Sequence, residues 1–392
     1  MGYEIYGLKA NPFPKGGAIL KPEAKDPREN GSIFSIEARA TEIREFEEKI
    51  IGTKTSFEDR TRCAFLWAEG DRTTGRGIGK TALSVYMKHK INQGYGKNYF
   101  DGKVKFFASY ISFKEQLKSR VAFLYKEAFR SFLREGLFSN IVTSTNKENL
   151  VGCGVQDEYA DAIMNNSVKE YLEGFSRYSL EEMSTAWDQG FLVKLPDLFL
   201  DQTVKALQAA GFAGGILLVD DIENLTDRST RAEIENFVKD LGLAFFRAGN
   251  EASTSNFYTL VLTTHQQSAQ KISQAWTLAG LSASFPLAPG GISSVFTSKP
   301  GLEHCKDMIY QYLKYSREPA FSPPSKCFPF TDDAVEAVVK ECEFHPRRFL
   351  SRFSRIIVEA VKKNEPKITP EFVEAVPEVE EEEEAPGVEG LA

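Results

Sequence analysis

Lys80 and Thr81 close the run Gly75-Arg76-Gly77-Ile78-Gly79-Lys80-Thr81, whose residue types suit one kind of chemistry. A chain of phosphates needs a backbone that can curl closely around it, which glycines permit. It also needs N–H groups at a helix N-terminus, a lysine for the outer phosphates and a hydroxyl for Mg²⁺. Gly75, Arg76, Gly77, Ile78, Gly79, Lys80, Thr81 and Ala82 supply this set for a nucleoside triphosphate, with Thr81 facing the metal. Thr74 stands where the motif usually has its first glycine, and the nearest strand-end glycine is Gly70. Asp71–Thr74 therefore reads as a short insertion ahead of the loop.

Further along, Ile216-Leu217-Leu218-Val219-Asp220-Asp221 is an apolar run ending in two carboxylates. A buried strand delivers such carboxylates to the sheet edge where a phosphate loop also ends. Asp220 is then the partner of the Mg²⁺ shell, and Asp221 the base that orients an attacking water. Asp is one methylene shorter than the commoner Glu, so Glu223 is the alternative base. Leu260-Val261-Leu262-Thr263 leads into Thr264-His265, either of which would lie between the carboxylates and a γ-phosphate. Near the C-terminus, Pro346 can open a helix with Arg347 and Arg348 in its first turn. Arginines there oppose the helix dipole, which points to an anionic partner such as the γ-phosphate.

These groups must be carried by alternating strands and helices. Strands are predicted at 63–68, 104–111, 215–219 and 257–263, with helices at 33–51, 80–92, 113–137, 198–210 and 231–247. Alternation of this kind means a parallel α/β sheet. Residues 302–315, 332–343 and 347–363 read as helices of a separate, mainly helical part. The expected division is an N-terminal arm at 1–32 lying over the core, a nucleotide-binding core at 33–298, a helical lid at 299–370 and a disordered acidic tail at 371–392. Residues 138–190 read as a polar, irregular insertion in the core.

Taken together, these motifs resemble those of the AAA+ ATPases: Walker A at Gly75–Thr81, Walker B at Ile216–Asp221, sensor 1 near Thr264 and sensor 2 at His345-Pro346-Arg347. The last is similar to the Gly-Asn-Pro-Arg signature of the replication-initiator (origin-recognition) clade. Gly7-Leu8-Lys9-Ala10-Asn11-Pro12-Phe13 resembles the opening of ExeA/TniB-type ATPases. Arg39-Ala40-Thr41-Glu42-Ile43 is similar to the helix start beside the adenine in such proteins, which implies nucleotide binding by Arg39. The resemblance covers about 5–130 and 198–365. It implies a three-layer αβα P-loop core with a small all-α lid, ATP with Mg²⁺, hydrolysis, and assembly into a homo-oligomer. By it, Lys80, Asp221, Glu223, Thr264 and Arg347 are catalytic, Arg347 also touches nucleotide, and Thr81 and Asp220 hold the metal. Initiators usually continue into a winged-helix DNA-binding domain, for which the residues after Lys363 leave no room. Residues 266–300 contain no Arg to act as a finger. Arg247, another Arg, slow hydrolysis or a partner's group are the open alternatives.

The composition is that of a soluble globular protein, with no apolar run of membrane-spanning length and no secretion signal. Five dispersed cysteines argue for a reducing compartment, so the expected location is the cytoplasm. The net charge of −7 misleads: nine of the 55 acidic residues lie in 371–392, leaving 46 against 48 basic ones. Lys126, Arg130 and Arg134 fall at i, i+4, i+8, one stripe of a helix that could track a phosphate backbone. The expected function is thus an ATP-dependent switch or assembly factor on DNA, acting together with a protein partner. A remodelling or signalling ATPase without nucleic-acid contact, or a scaffold with weak turnover, are the alternatives.

Overall fold

The computed structural model describes residues 2–14, 25–28, 30–70, 75–113, 124, 127–128, 132, 134–167, 195–245, 257–279 and 293–377. The chain forms two compact units, Arg39–Ser298 and the joined pair Met1–Ala38 with Lys299–Ala392.

In chain order the first unit contains helix α1 (Ala40–Phe46), strand β1 (Cys63–Ala68), α2 (Lys80–Asn92) and β2 (Lys105–Ser112). Then come α3 (Leu137–Ser144), α4 (Lys147–Gly152), α5 (Asp157–Met164), α6 (Leu195–Ala209) and β3 (Phe212–Asp220). It ends with α7 (Glu223–Arg228), α8 (Arg231–Phe245), β4 (Tyr258–His265), α9 (Gln266–Leu278) and β5 (Ser293–Phe296). The five strands form one sheet in the order β2-β3-β4-β1-β5. Every pairing is parallel. The strands read as continuous apolar runs because both faces are covered, as parallel sheets require. On one face Leu217, Val219, Leu260 and Leu262 share a core with Phe237, Val238 and Leu241 of α8 and with Ile272 and Trp276 of α9. Helix α2 packs against β1, β2 and β3. The α/β fold with a parallel sheet is therefore the one expected from the alternation.

Several local expectations change. The helix expected at 33–51 is a 3-10 turn (Glu37–Arg39), α1 and a π-helical turn (Glu47–Ile51). Residues 138–167 are integral to the fold: Phe138, Ile141, Leu150, Tyr159 and Ile163 are buried with Val204 and Leu207 of α6. Three short helices hide those few apolar residues among polar neighbours, so the segment reads as irregular. Its remainder, 168–194, lies outside the described residues.

The second unit is built from α10 (Leu302–Ser316), α11 (Asp332–Glu341), α12 (Pro346–Lys363) and α13 (Pro370–Ala375). Thr331 caps α11 through the Ala334 N–H, and Pro346 occupies the first turn of α12. The N-terminal arm belongs to this helical unit. Tyr6, Leu8 and Phe13 are buried with Ile309, Leu313, Phe330, Phe349 and Phe353. Asn11 donates through Nδ2 to the Ser354 hydroxyl at 2.9 Å and accepts the Phe13 N–H at 3.0 Å. Gly7 has φ 63°, and a β-carbon there would sit 2.0 Å from the Phe321 ring. Thus the Gly-Leu-x-x-Asn-Pro-Phe segment fastens the arm to the helices.

The segment expected to be disordered from 371 begins as an ordered helix. Buried Arg352 donates to the carbonyls of Val373, Val376 and Pro377 and pairs with Glu341 at 3.1 Å. Residues 378–392 lie outside the described residues. The five cysteines form no disulfide, and only Cys153, just after α4, is exposed. Among the described residues no helix is long and apolar enough to cross a membrane.

Candidate nucleotide site

The site lies at the C-terminal ends of β1, β3 and β4. Gly77 (φ 75°) and Gly79 (φ 116°) adopt backbone that other residues rarely reach, and so turn the loop between β1 and α2. Lys80 is buried and donates to the Gly75 carbonyl at 2.6 Å. That bond closes the loop on itself. Burial lowers the Lys80 pKa, while Glu223, Asp220 and Asp221 oppose the shift. Residues Asp71–Thr74, the proposed insertion, lie outside the described residues.

The loop meets the second motif through one short bond. Thr81 at the start of α2 donates its hydroxyl to Asp220 Oδ2 at 2.6 Å. Tyr110 of β2 donates to the same oxygen at 2.8 Å, and the Asp221 N–H donates to Oδ1 at 3.0 Å. A hydroxyl beside a carboxylate is the sparse oxygen set that suits Mg²⁺ shared with phosphates. Among the described residues no group of three His, Cys, Asp or Glu could hold a metal ion by itself. The donor set therefore fits a divalent ion that brings phosphate oxygens with it.

Asp221 and Glu223 differ in what holds them. Asp221 follows β3 in the left-handed conformation, φ 60°, and accepts from Ser112 of β2 at 3.1 Å. Asp tolerates that conformation better than longer side chains, because its short polar group bonds locally. This accounts for Asp where Glu is commoner. Burial, then Asp220 and Glu223, raise the Asp221 carboxyl to about 7. Glu223, at the start of α7, is 4% exposed, and its Oε2 has no hydrogen-bond partner among the described residues. Burial raises its pKa, and the Lys80 charge counters that.

The other candidates fall in different surroundings. Thr264 is fully buried, and its hydroxyl donates to the His265 carbonyl at 3.4 Å. Its neighbour Thr263 lies 3.5 Å from Ser84 of α2, so alternation along β4 turns Thr263 to the α2 face and Thr264 away from it. His265 caps α9, accepting the Ser268 N–H. Arg39 does not stand open to a base: it is 3% exposed, donating to Glu42 and the Ser298 carbonyl, each at 2.8 Å, and to the Ile78 carbonyl. It thereby ties down the glycine loop, 3.1 Å from where a β-carbon on Gly79 would stand. Arg347 lies in the helical unit, half-buried at the start of α12, and its Nε has no partner among the described residues. Lys126, Arg130 and Arg247 lie outside the residues described at side-chain level. Arg134, the described member of the basic stripe, donates to the Tyr110 carbonyl at 3.0 Å.

Sequence reasoning missed Tyr110 and Ser112. The signal was available: two hydroxyls at i, i+2 share one face at the end of an otherwise apolar strand.

A parallel sheet with a glycine loop after β1 and carboxylates after β3 defines an α/β protein of the P-loop type. No protein-family model matches the chain, and no curated protein does. Among solved structures, the chain is similar to Cdc6p from Pyrobaculum aerophilum, with 13% identity and a TM-score of 0.44 over 87% of this chain and 68% of that one. It is also similar to the ORC2 protein of Aeropyrum pernix, with 9% identity and a TM-score of 0.45 over 91% and 68% of the two chains.

Proposed function

We propose that the chain is an AAA+ ATPase that binds ATP with Mg²⁺ and acts as an ATP-dependent switch or assembly factor on DNA, together with a protein partner. The observation that carries the nucleotide part is the 2.6 Å bond joining Thr81 to Asp220, beside buried Lys80. It unites two motifs 139 residues apart in the chain at one sheet edge. In this reading the loop amides and Lys80 hold the phosphates, displacing the Lys80 bond to Gly75. Thr81 and Asp220 hold the metal, which screens the phosphate charge. Glu223 is the better-placed base, being buried, facing the Lys80 charge and carrying an unpartnered oxygen. Asp221 is a secondary candidate, since Ser112 already occupies one of its oxygens. The sensor roles proposed for Thr264 and Arg347 rest on the motif resemblance alone.

The DNA part rests on the motif resemblance and on the basic residues of 113–134. A scaffold with weak turnover is the second reading. It is favoured by the segment 266–300, which contains no Arg to act as a finger.

The test measures binding of a fluorescent ATP analogue, phosphate release, and retention on double-stranded DNA at low salt. Lys80→Ala should abolish binding. Glu223→Gln should keep binding but lower turnover by about 10²-fold or more, as loss of a general base does. ATP-dependent retention should weaken steeply with added salt. Equal, negligible turnover in wild type and both variants would leave the scaffold reading. Absence of any retention at low salt would remove DNA as the client.

A further inference from the structure

The nucleotide site contains a buried hydroxyl that neither motif includes. Tyr110 lies on β2, 8% exposed, in register with Leu218 of β3. Its side chain reaches forward to Asp220 Oδ2, where its O–H donates at 2.8 Å. The same oxygen takes the Thr81 hydroxyl, and Oδ1 takes the Asp221 N–H. All three bonds are donated to Asp220, and they hold it from three elements: β2, α2 and the turn after β3. Two of those donors carry other demands. Thr81 must turn a lone pair toward the metal, and the Asp221 peptide carries a strained backbone. Tyr110 alone approaches from a strand interior.

We propose that Tyr110 is a positioning residue for the divalent cation, fixing the Asp220 carboxylate so that it and Thr81 present oxygens in one geometry. Loss of a partner that orients a metal ligand typically weakens metal affinity by about 10–100-fold. The Tyr110 carbonyl receives Arg134 at 3.0 Å, and the β2–β3 pairing continues past it to Ser112, so the backbone that carries the ring is fixed. The inference rests on the nucleotide reading above and adds to it a residue the motifs do not contain.

The experiment titrates Mn²⁺, in place of Mg²⁺, into the full chain with saturating ADP, following free Mn²⁺ by electron paramagnetic resonance. ADP affinity in EDTA is measured alongside. Tyr110→Phe should weaken Mn²⁺ binding about 10–100-fold. Metal-free ADP affinity should stay within about twofold of wild type. Tyr110→Leu, which also lacks the donor, should show the same loss and serves as the second variant if the phenylalanine chain folds poorly. In a cycle with Asp220→Asn the two losses should fail to add, because one acts through the other. Unchanged Mn²⁺ affinity in the Tyr110 variants, or losses that add in the cycle, overturns the inference while leaving the nucleotide reading intact. A wild-type chain that binds no ADP overturns the nucleotide reading itself, and the inference with it.

Discussion

Asp221 shows how one backbone angle constrains chemistry. With φ at 60°, the position favours Asn, Asp or Gly. Asp221→Glu, the commoner residue of such motifs, should cost about 1 kcal/mol through the left-handed backbone. Asp221→Asn should leave stability near neutral pH unchanged or higher. Chemical denaturation of both variants checks this, and equal stabilities would mean that the turn carries no strain. The charge on Asp221 gives a second expectation. Folding raises its carboxyl from an ordinary 3.8 to about 7. Between those values the nucleotide-free folded chain keeps a proton that the unfolded chain has lost. Stability contributed by this group is therefore fully present below about 4, falls as pH rises, and is gone above about 7. Asp221→Asn lacks that slope, so its stability should gain on wild type across the interval and hold the gain above it. Parallel denaturation curves from pH 4 to 8 measure the difference.

Helices and strands were readable where their apolar pattern was long or unmixed. β1, β3 and β4 are short, but each is a block of apolar residues before a polar edge, so the strands and the carboxylates at the end of β3 could be placed, though β3 starts earlier and β4 ends later than expected. β5 could not: Ser293–Phe296 has four residues, too few for any period, and depends on β1 for its pairing. α9 was missed because Gln, Ser and Lys outnumber its buried Ile272, Ala275 and Trp276. The phosphate loop could be read because its glycines are demanded by geometry. The hydroxyls of Tyr110 and Ser112 share one face of β2 in the sequence, but their reach to the carboxylates is set by the register of β2 against β3. α13 was lost in the acidic composition that follows it, and what orders it is remote in sequence. Arg352→Ala removes donors from three carbonyls, so it should cost about 2–4 kcal/mol and expose 370–377 to protease. Denaturant midpoints and mapped cleavage sites are the measurements, and unchanged cleavage would show that the helix is held by other contacts.

The whole chain folds as a sheet unit interrupting a helical one. The helical unit draws its core from both termini, which no local pattern reveals. Deleting residues 1–14 would strip Tyr6, Leu8 and Phe13 from that core, each worth about 3 kcal/mol or more when large and buried. The expected result is selective: amides of α10 and α12 lose hydrogen-exchange protection while those of β3 and β4 keep theirs. Uniform loss in both units would contradict the division. The cysteines carry a separate practical consequence. Burial pushes the Cys63 thiol up to about 12 and the Cys327 thiol up to about 11, so both stay protonated and shielded at neutral pH. Cys305 and Cys342 are also buried, whereas Cys153 is open to solvent. One equivalent of a maleimide dye should therefore attach at a single position in the unaltered sequence, giving a fluorescent reporter on the sheet unit without mutagenesis.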